Sequence, residues 1–454
     1  MISIYDTVSR GLQEIPVDND GVNIYCCGPT VYRDAHVGNL RTFLLADLVA
    51  RALRLQGRQV KLIQNITDVG HMSEDFQSED KLLQQAQLEK RDPFEIARNY
   101  EEKFHQDLSR INILPADAYP RASETIDLML ETIAKLISSG NAYATDLGSV
   151  YFDAQSFESY GAISGNKLDS LKPGHRYEYS DEGDKRFHAD WALWKSAGNR
   201  TEMVWDSPWG KGFPGWHIEC TAMSLDLLQN RIDLHIGGID LRFPHHENER
   251  AQSNSIVGHE AVKLWMHGEH LLFEGRKMSK SAGNVVLIQN LLERNLDPLS
   301  LRLSLLENRY RSQMDLTWAG LEAANATLKR WRSNMATWGE DEKPLVDPEI
   351  LGAIERDLDT PRVLLRLRAL EKDTSISGEM KRSIFLYADA LLGLDLNRKI
   401  EVRPLDPSQQ ELLQLRAQAR NDKNWNESDR LRDLLADAGI AINDGPEGQS
   451  WSRI

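Results

Sequence analysis

The sequence is poor in cysteine and has no long apolar stretch. Only 3 cysteines occur among 454 residues, and Cys26 and Cys27 are neighbours, so a disulfide framework is not expected. No apolar run approaches the roughly 20 residues that a membrane helix needs. The first residues also lack the basic and apolar regions of a signal peptide. These absences predict a cytoplasmic protein that crosses no membrane and whose thiols are available for a metal.

The sequence also lacks an excess of basic residues. Its formal net charge is −15 at pH 7, and hydrophobic residues make up 41% of the chain, as in a folded globular protein. Nucleic acids carry a dense negative charge, so this balance argues against indiscriminate nucleic-acid binding. Any RNA partner must therefore bind a local basic surface.

One short stretch combines cysteines with a turn suited to phosphate. A strand-like alternation over residues 22–25 precedes it, and apolar residues at helical spacing follow it until Gly57. In an open parallel sheet, a loop between a strand and a helix N-terminus binds phosphates, because free backbone N–H groups point there. Gly38 allows a close backbone approach, and His36 and Asn39 can donate hydrogen bonds to charged oxygens.

A second predicted strand, residues 60–64, leads to the same edge of the sheet. It is followed by Asn65, Ile66, Thr67 and Asp68, three of which are polar, and parallel strands place their carboxyl ends together. We therefore expect Thr67 to face the ligand. The Asp92-Pro93 pair predicts the start of a crossover helix.

A loop rich in glycine and lysine occurs later in the chain. Between Gly275 and Gly283 it carries Lys277 and Lys280. A mobile loop of this composition can fold over a triphosphate, and its lysines can neutralise charge that develops as pyrophosphate leaves. The alternative interpretation is an ordinary solvated loop.

Candidate metal ligands are spread over three segments. The chain offers Cys26 or Cys27, Cys220, and the pair His245 and Glu249. On a helix, residues four apart lie on one face, so this pair can share a metal ion. Zinc favours cysteine, histidine and carboxylate ligands. Buried cysteines that bind no metal are the alternative, because they are common in protein cores.

Five motifs, taken in order, resemble those of the cysteinyl-tRNA synthetases, which are class I aminoacyl-tRNA synthetases. They are CGPTVY at 27–32, HVGN at 36–39, GWHIEC at 215–220, FPHHENE at 243–249 and KMSKS at 277–281. The likeness extends from Tyr5 to Trp451. It implies ATP-dependent activation of L-cysteine to cysteinyl-adenylate, and transfer of cysteine to the terminal ribose of tRNA(Cys).

The resemblance also implies roles for individual residues at the cysteine end of the site. It assigns one zinc ion to Cys27, Cys220, His245 and Glu249. The substrate thiol would bind that ion as a thiolate, which would reject serine because a hydroxyl is a harder and far less acidic ligand. Thr67 and Trp216 would help to shape the cysteine pocket. Cys26 would be a small core residue without an assigned role.

At the ATP end, the resemblance implies that His36 and Asn39 contact the phosphates. Lys280, with Lys277, would stabilise the departing pyrophosphate, and Mg²⁺ would arrive with ATP. The chain departs from the usual class signature at its second histidine, which is Asn39 here. Asparagine can donate to phosphate but cannot become cationic. The two interpretations of His71 are a neighbour of the substrate and a surface residue, and we favour the second.

The predicted architecture is α/β. It is a class I Rossmann-like nucleotide-binding domain with a connective insertion, followed by an all-helical bundle and a small C-terminal module. We expect a monomer by family likeness. The boundaries are 1–115 and 201–290 for the two halves of the catalytic domain, 116–200 for the insertion, 291–400 for the bundle, and 405–454 for a tRNA-binding anticodon module.

Two other functions fit part of the sequence. Ligases that join activated cysteine to an amino sugar resemble the first two-thirds of the chain but have no tRNA-binding extension. The terminal helices here carry Arg416, Arg420, Arg430 and Trp425, which favours tRNA, although these arginines can also pair with nearby acidic residues. A noncatalytic RNA-binding paralogue is the third possibility, and the intact motif residues argue against it.

Overall fold

A computed structural model describes residues 1–17, 21–69, 80–171, 184–278, 283–340, 342–399, 405–445 and 448–453. The chain divides into two compact units, residues 1–398 and 399–454. Among the described residues, none of the helices is long and apolar enough to cross a membrane.

The first unit begins with a hairpin and then builds the first half of a parallel sheet. Its elements here are β1 (Ser3–Asp6), β2 (Gly11–Glu14), β3 (Val22–Cys26), α1 (Val37–Leu55), β4 (Val60–Gln64), α2 (Lys81–Glu89) and α3 (Pro93–Arg110). The predicted crossover helix is confirmed. Its side-chain cap is Asp92, which accepts hydrogen bonds from the amides of Phe94 and Glu95, and Pro93 occupies the first turn, where its missing N–H costs nothing.

A helix and an antiparallel sheet follow before the chain returns to the parallel sheet. These elements are α4 (Ile126–Ser138), β5 (Ala142–Ala144), β6 (Val150–Phe152), β7 (Trp191–Ser196), β8 (Gly212–Pro214), α5 (Trp216–Leu227), β9 (Ile232–Gly238), α6 (His245–Val257) and β10 (Val262–Gly268). Strands β5 to β8 pair in sequence order, each antiparallel to the next. The antiparallel sheet thus spans residues 142–214.

The parallel sheet has the strand order β10-β9-β3-β4, and all three neighbouring pairs run parallel. From β3 the chain builds outward to β4, and the later pair β9 and β10 builds outward on the other side. The strand order therefore reverses between β3 and β9. In open α/β sheets, ligands bind at the carboxyl ends of the strands at such a reversal.

The rest of the first unit is mostly helical. Its elements are β11 (Leu271–Phe273), β12 (Arg276–Lys277), α7 (Ile288–Glu293), α8 (Leu299–Leu306), β13 (Met314–Leu316), α9 (Trp318–Thr337), α10 (Pro348–Glu355), α11 (Thr360–Lys372) and α12 (Gly378–Leu392). The helical pattern from Leu316 predicts a helix that starts there. Instead, Met314–Leu316 is a strand parallel to β11, and α9 begins after Thr317, whose hydroxyl accepts from the Gly320 amide.

The second unit contains two helices and a hairpin, α13 (Pro407–Asn421), α14 (Trp425–Asp437), β14 (Ile440–Gly445) and β15 (Gly448–Arg453). The Arg416 side chain is fully buried here. Its guanidinium donates to both carboxylate oxygens of Asp444, each at 2.9 Å, and to Gln449 at 2.6 Å. Arg420 and Arg432 also bond to Asp444. Three arginines of this unit thus bind the same carboxylate.

Candidate metal centre and nucleotide site

A cluster of buried metal-type side chains lies where the strand order reverses. Cys27 directly follows β3, Cys220 lies in the first two turns of α5, and His245 and Glu249 lie on one face at the start of α6. All four are buried. The spacing of four in α6 therefore brings its imidazole and carboxylate to the end of β3.

Short distances join these four side chains. The Cys27 Sγ lies 3.7 Å from Cys220 Sγ, 3.6 Å from His245 Nε2 and 3.5 Å from Glu249 Oε1. The His245 Nε2 lies 2.7 Å from Glu249 Oε1. All four ligand atoms fall within 4.8 Å of one another. The sequence-predicted ligand set thus forms one compact group.

A second group of four shares two of these residues. His235 in β9 and His246 in α6 place their Nε2 atoms 3.3 and 3.4 Å from Cys27 Sγ. The His235 Nε2 also lies 3.4 Å from Glu249 Oε2. The ligand atoms of these two histidines, Cys27 and Glu249 also lie within 4.8 Å of one another, so this group could hold an ion as well.

Sequence reasoning assigned no role to His235 or His246. For His235, the available signal was its position in a predicted buried strand, beside a glycine turn at the expected edge of the sheet. For His246 the signal was its position next to a predicted ligand. Neither signal gives a distance, because both contacts depend on how β9 and α6 pack against β3.

Burial and mutual contacts shift the pKa values of the histidines and cysteines in this cluster. Burial and the neighbouring imidazoles lower the pKa of His235 and His246 well below the usual value, so both rings are neutral and keep a lone pair. Burial and a hydrogen bond with Cys220 raise the pKa of Cys27. Burial also acts on Cys220, but hydrogen bonds with Cys27 and His245 outweigh it and lower the pKa of Cys220. Cys220 is therefore the more acidic of the two thiols.

Further side chains orient the histidines of the cluster. The His217 Nδ1 lies 2.9 Å from His245 Nδ1, and the Trp216 ring stacks on His245 with centroids 4.1 Å apart. On the other side, His246 Nδ1 lies 2.8 Å from His267 Nε2. Such contacts fix which ring nitrogen faces a metal.

The donor set fits a metal ion. Two sulfurs, an imidazole and a carboxylate match the ligands that zinc prefers, and the sulfurs favour a thiophilic ion over a hard one. The Glu249 Oε2 is buried without a hydrogen-bond partner. A buried carboxylate oxygen without a partner is costly, and a cation would remove that cost.

Thr67 lies at the same edge of the sheet, beside this cluster. Its backbone pairs with the loop after β3, through Thr67 N to Pro29 O at 3.0 Å. Its hydroxyl accepts from Asn65 Nδ2 at 3.2 Å and donates to Glu219 Oε2 at 3.1 Å. Asn65 in turn accepts from the Gly28 amide at 2.8 Å. Hydrogen bonds thus tie the end of β4 to the loop after β3 and to α5.

His36 and Asn39 form a reciprocal cap at the start of α1. The Asn39 backbone N–H donates to His36 Nδ1 at 3.3 Å, and the Asn39 side-chain Oδ1 accepts from the His36 backbone N–H at 3.2 Å. These bonds leave the His36 Nε2–H and the Asn39 NH₂ available as donors. Burial and the Arg33 guanidinium lower the pKa of His36 to about 4, so the ring is neutral at pH 7. The side chain of Asn39 therefore caps the start of α1 and keeps its NH₂ group as a donor.

The lysine loop contacts the start of α1. Lys277 ends β12 and is exposed, and Met278 is 8% exposed. A Cβ atom added to Gly38 would lie 2.9 Å from Met278 Cε, so the two residues are in close contact. The Val37 amide donates to Val286 O at 3.0 Å. Lys280 and His71 lie outside the described residues.

The parallel sheet with its reversal point, the inserted antiparallel sheet and the following helices define a class I aminoacyl-tRNA synthetase. Residues 13–326 match the family model for the tRNA synthetases class I (C) catalytic domain. Among solved structures, the methionyl-tRNA synthetase of Mycobacterium tuberculosis with methionyl-adenylate has a TM-score of 0.55 and 15% identity, over 90% of this chain and 96% of the other. This likeness is one of fold.

Sequence comparisons assign the chain to one family within this class. A cysteine–tRNA ligase of Thermus thermophilus is 41% identical over 99% of this chain and 98% of its own length. That of Chlorobium chlorochromatii is 37% identical over 99% of each chain. Residues 403–451 match the cysteinyl-tRNA ligase anticodon binding domain. The chain belongs to the cysteinyl-tRNA synthetase family, whose members are the cysteine–tRNA ligases.

Proposed function

We propose that this enzyme activates L-cysteine with ATP to cysteinyl-adenylate and transfers the cysteinyl group to the 3′-terminal ribose of tRNA(Cys). The observation that carries the proposal is the buried group of two sulfurs, an imidazole and a carboxylate at the reversal point of a class I sheet. A site that must select a thiol over a hydroxyl needs a thiophilic partner, and this group can hold one.

The proposed zinc ligands are Cys27, Cys220, His245 and Glu249. This group has two sulfur donors, whereas the alternative group with His235 and His246 has one. When bound, zinc would supply a Lewis acid that prefers a thiolate to a hydroxyl. Trp216 and Thr67 would line the cysteine pocket, which is supported by the stacking of Trp216 on His245. Selection at this step would make later editing unnecessary.

The adenylation step needs positioning and charge stabilisation from the protein, with no protein nucleophile. A carboxylate oxygen of cysteine attacks the α-phosphorus of ATP, the bond to the β-phosphate oxygen breaks, and pyrophosphate leaves. The available donors of His36 and Asn39 would bind phosphate oxygens. Lys277 and Lys280 would stabilise the leaving pyrophosphate, and Mg²⁺ would come with ATP.

Transfer completes the proposed reaction. A hydroxyl of the terminal ribose attacks the adenylate carbonyl, the bond to the AMP phosphate breaks, and AMP leaves. We assign 1–115 and 201–290 to the catalytic domain, 116–200 to the connective insertion and 291–400 to the helical bundle. Residues 405–454 would recognise the anticodon. A monomeric, cytoplasmic enzyme is part of the proposal.

The test is charging of unfractionated tRNA by purified protein and ATP, with labelled cysteine and labelled serine in parallel. We expect charging with cysteine and none with serine. Charging with serine would refute selection by a thiophilic site. Cysteine-dependent pyrophosphate exchange without charged tRNA would instead favour a ligase that joins activated cysteine to an amino sugar.

A further inference from the structure

Three buried carboxylates lie together beside the cysteine end of the site. Asp68, Asp80 and Glu219 are 0%, 3% and 2% exposed, and the negative charges of both aspartates act on Glu219. Two of the three have a guanidinium partner. Arg98 Nη2 lies 2.9 Å from Asp68 Oδ2, and Arg200 Nη2 lies 2.9 Å from Asp80 Oδ2.

Glu219 differs from the two aspartates because no lysine or arginine among the described residues forms an ion pair with it. Its Oε2 accepts a single hydrogen bond, from Thr67 Oγ1 at 3.1 Å. A buried carboxylate is stable as an anion only with a positive partner.

The position of Glu219 indicates where that partner comes from. It lies in the first turn of α5, three residues after Trp216 and directly before Cys220, so it shares a helix face with the indole. It therefore adjoins both the proposed cysteine pocket and the metal cluster.

The local hydrogen bonds leave only acceptors at this point. Thr67 Oγ1 gives its proton to Glu219 and accepts from Asn65 Nδ2 at 3.2 Å, so its remaining hydrogen-bonding capacity is a lone pair. The carboxylate of Glu219 is acceptor-only as well. Two acceptors beside an uncompensated negative charge suit an ammonium group, which has three donors and a positive charge.

We propose that Glu219, assisted by Thr67, binds the α-ammonium group of the amino acid substrate. The proposal rests on the proposed function, which supplies cysteine as that substrate. With the thiol at the metal cluster and the ammonium at Glu219, two points of the substrate are fixed, and its carboxylate is directed away from them toward ATP. The site then selects α-amino thiols over thiols without an amino group.

The test compares two ligands on the zinc-loaded protein by titration calorimetry. Cysteine and 3-mercaptopropionate share the thiol and the carboxylate, but only cysteine has the amino group. In Glu219→Gln the amide oxygen can still accept from Thr67, so the charge is removed and the hydrogen bond stays. We expect the Kd of cysteine to rise about 10- to 100-fold, as for loss of a charge-assisted hydrogen bond. The Kd of 3-mercaptopropionate and the zinc content should not change.

Two further variants separate charge from structure. Glu219→Asp keeps the charge and should recover part of the preference for cysteine. Asp80→Asn is the matched control, because it removes a charge from the same group, and asparagine still caps α2. Its ratio of the two Kd values should equal that of the wild type.

The outcomes distinguish this proposal from the proposed function. Equal weakening of both ligands in Glu219→Gln would make Glu219 a structural residue and overturn the proposal. Unchanged cysteine binding in that variant would overturn it as well, while leaving the proposed function intact. A wild-type protein that binds neither ligand would instead overturn cysteine as the substrate.

Discussion

The cysteine end and the ATP end of the candidate site are built in opposite ways. At the cysteine end, Cys27, Cys220 and Glu249 are 4%, 1% and 2% exposed, and their positions come from strand ends and helix starts of the parallel sheet. At the ATP end, Asn39 and Lys277 are exposed, and Lys277 lies at the end of the short strand β12. One end is enclosed by protein, and the other is open to solvent.

Under the proposed function, this difference sets how each end would work. A metal site is held more precisely when packing keeps its ligands close together, as the packed sheet and helices do here. A triphosphate is large and charged, and a loop that closes over it can complete the site only when the substrate is present. The cysteine end should therefore respond to changes in packing, and the ATP end to changes in charge.

The largest effect is expected at the enclosed end, from Cys220→Ser. The substitution removes one of two sulfur donors, so zinc affinity should fall by more than the about 10- to 100-fold typical of changes around the ligands. Cysteine-dependent pyrophosphate exchange should be lost with it. Metal analysis after dialysis and exchange assays measure both effects.

Cys26→Ala is the control for this prediction. Cys26 is fully buried in the hydrophobic core, and the nearest acceptor for its thiol is the Cys27 carbonyl at 3.7 Å. The variant should keep its zinc. If Cys220→Ser also keeps its zinc, the ion binds instead to the group that contains His235 and His246.

At the open end, Lys277→Ala and Lys280→Ala should slow adenylate formation without loss of zinc. Each removes a positive charge that we propose stabilises the leaving pyrophosphate, a change that typically costs on the order of 10²- to 10³-fold in rate. Pyrophosphate exchange at saturating cysteine measures this. Lys263→Ala removes an exposed lysine from β10 and should leave the rate unchanged. Normal exchange in both loop variants would refute the assignment of the lysines.

Local sequence patterns predicted much of the fold. The strand, loop and helix around Cys27 and the start of α3 at Asp92 depend on neighbouring residues, and the structure confirms them. The patterns also placed the ends of β3 and β4 at one edge of the sheet, where the two strands pair in parallel. These features follow from periodicity, capping and the rules of parallel sheets.

Features that depend on packing between distant segments were not predictable. The approach of His235 and His246 to Cys27 requires the register of β9 beside β3 and the placement of α6. The strand Met314–Leu316 includes Leu316, which looks helical by sequence because it continues the apolar pattern of α9. It is a strand because β11 offers a pairing edge, which no local pattern reveals.

A glycine beside the cluster tests how tightly the enclosed end is packed. A Cβ atom at Gly237 would overlap the His246 ring, at 2.8 Å from Nε2 and closer still to Cε1. Gly237→Ala should therefore displace the ring and lower zinc affinity about 10- to 100-fold. In the matched control Gly268→Ala, the Cβ atom would have its nearest neighbour at 3.6 Å, Leu45 Cδ2. Equal zinc affinity in the two variants would show that the cluster tolerates repacking.

The smallest effect is expected for the corresponding change at the open end, Gly38→Ala. The new Cβ atom would lie 2.9 Å from Met278 Cε and 3.0 Å from His36 Cε1. Because the end of a methionine side chain can move, the strain should stay near 1 kcal/mol, or about fivefold in the rate of pyrophosphate exchange. In a Met278→Ala background, Gly38→Ala should have less effect, since its main obstacle is gone. Independent, additive effects would mean that the contact between Gly38 and Met278 does not position the lysine loop.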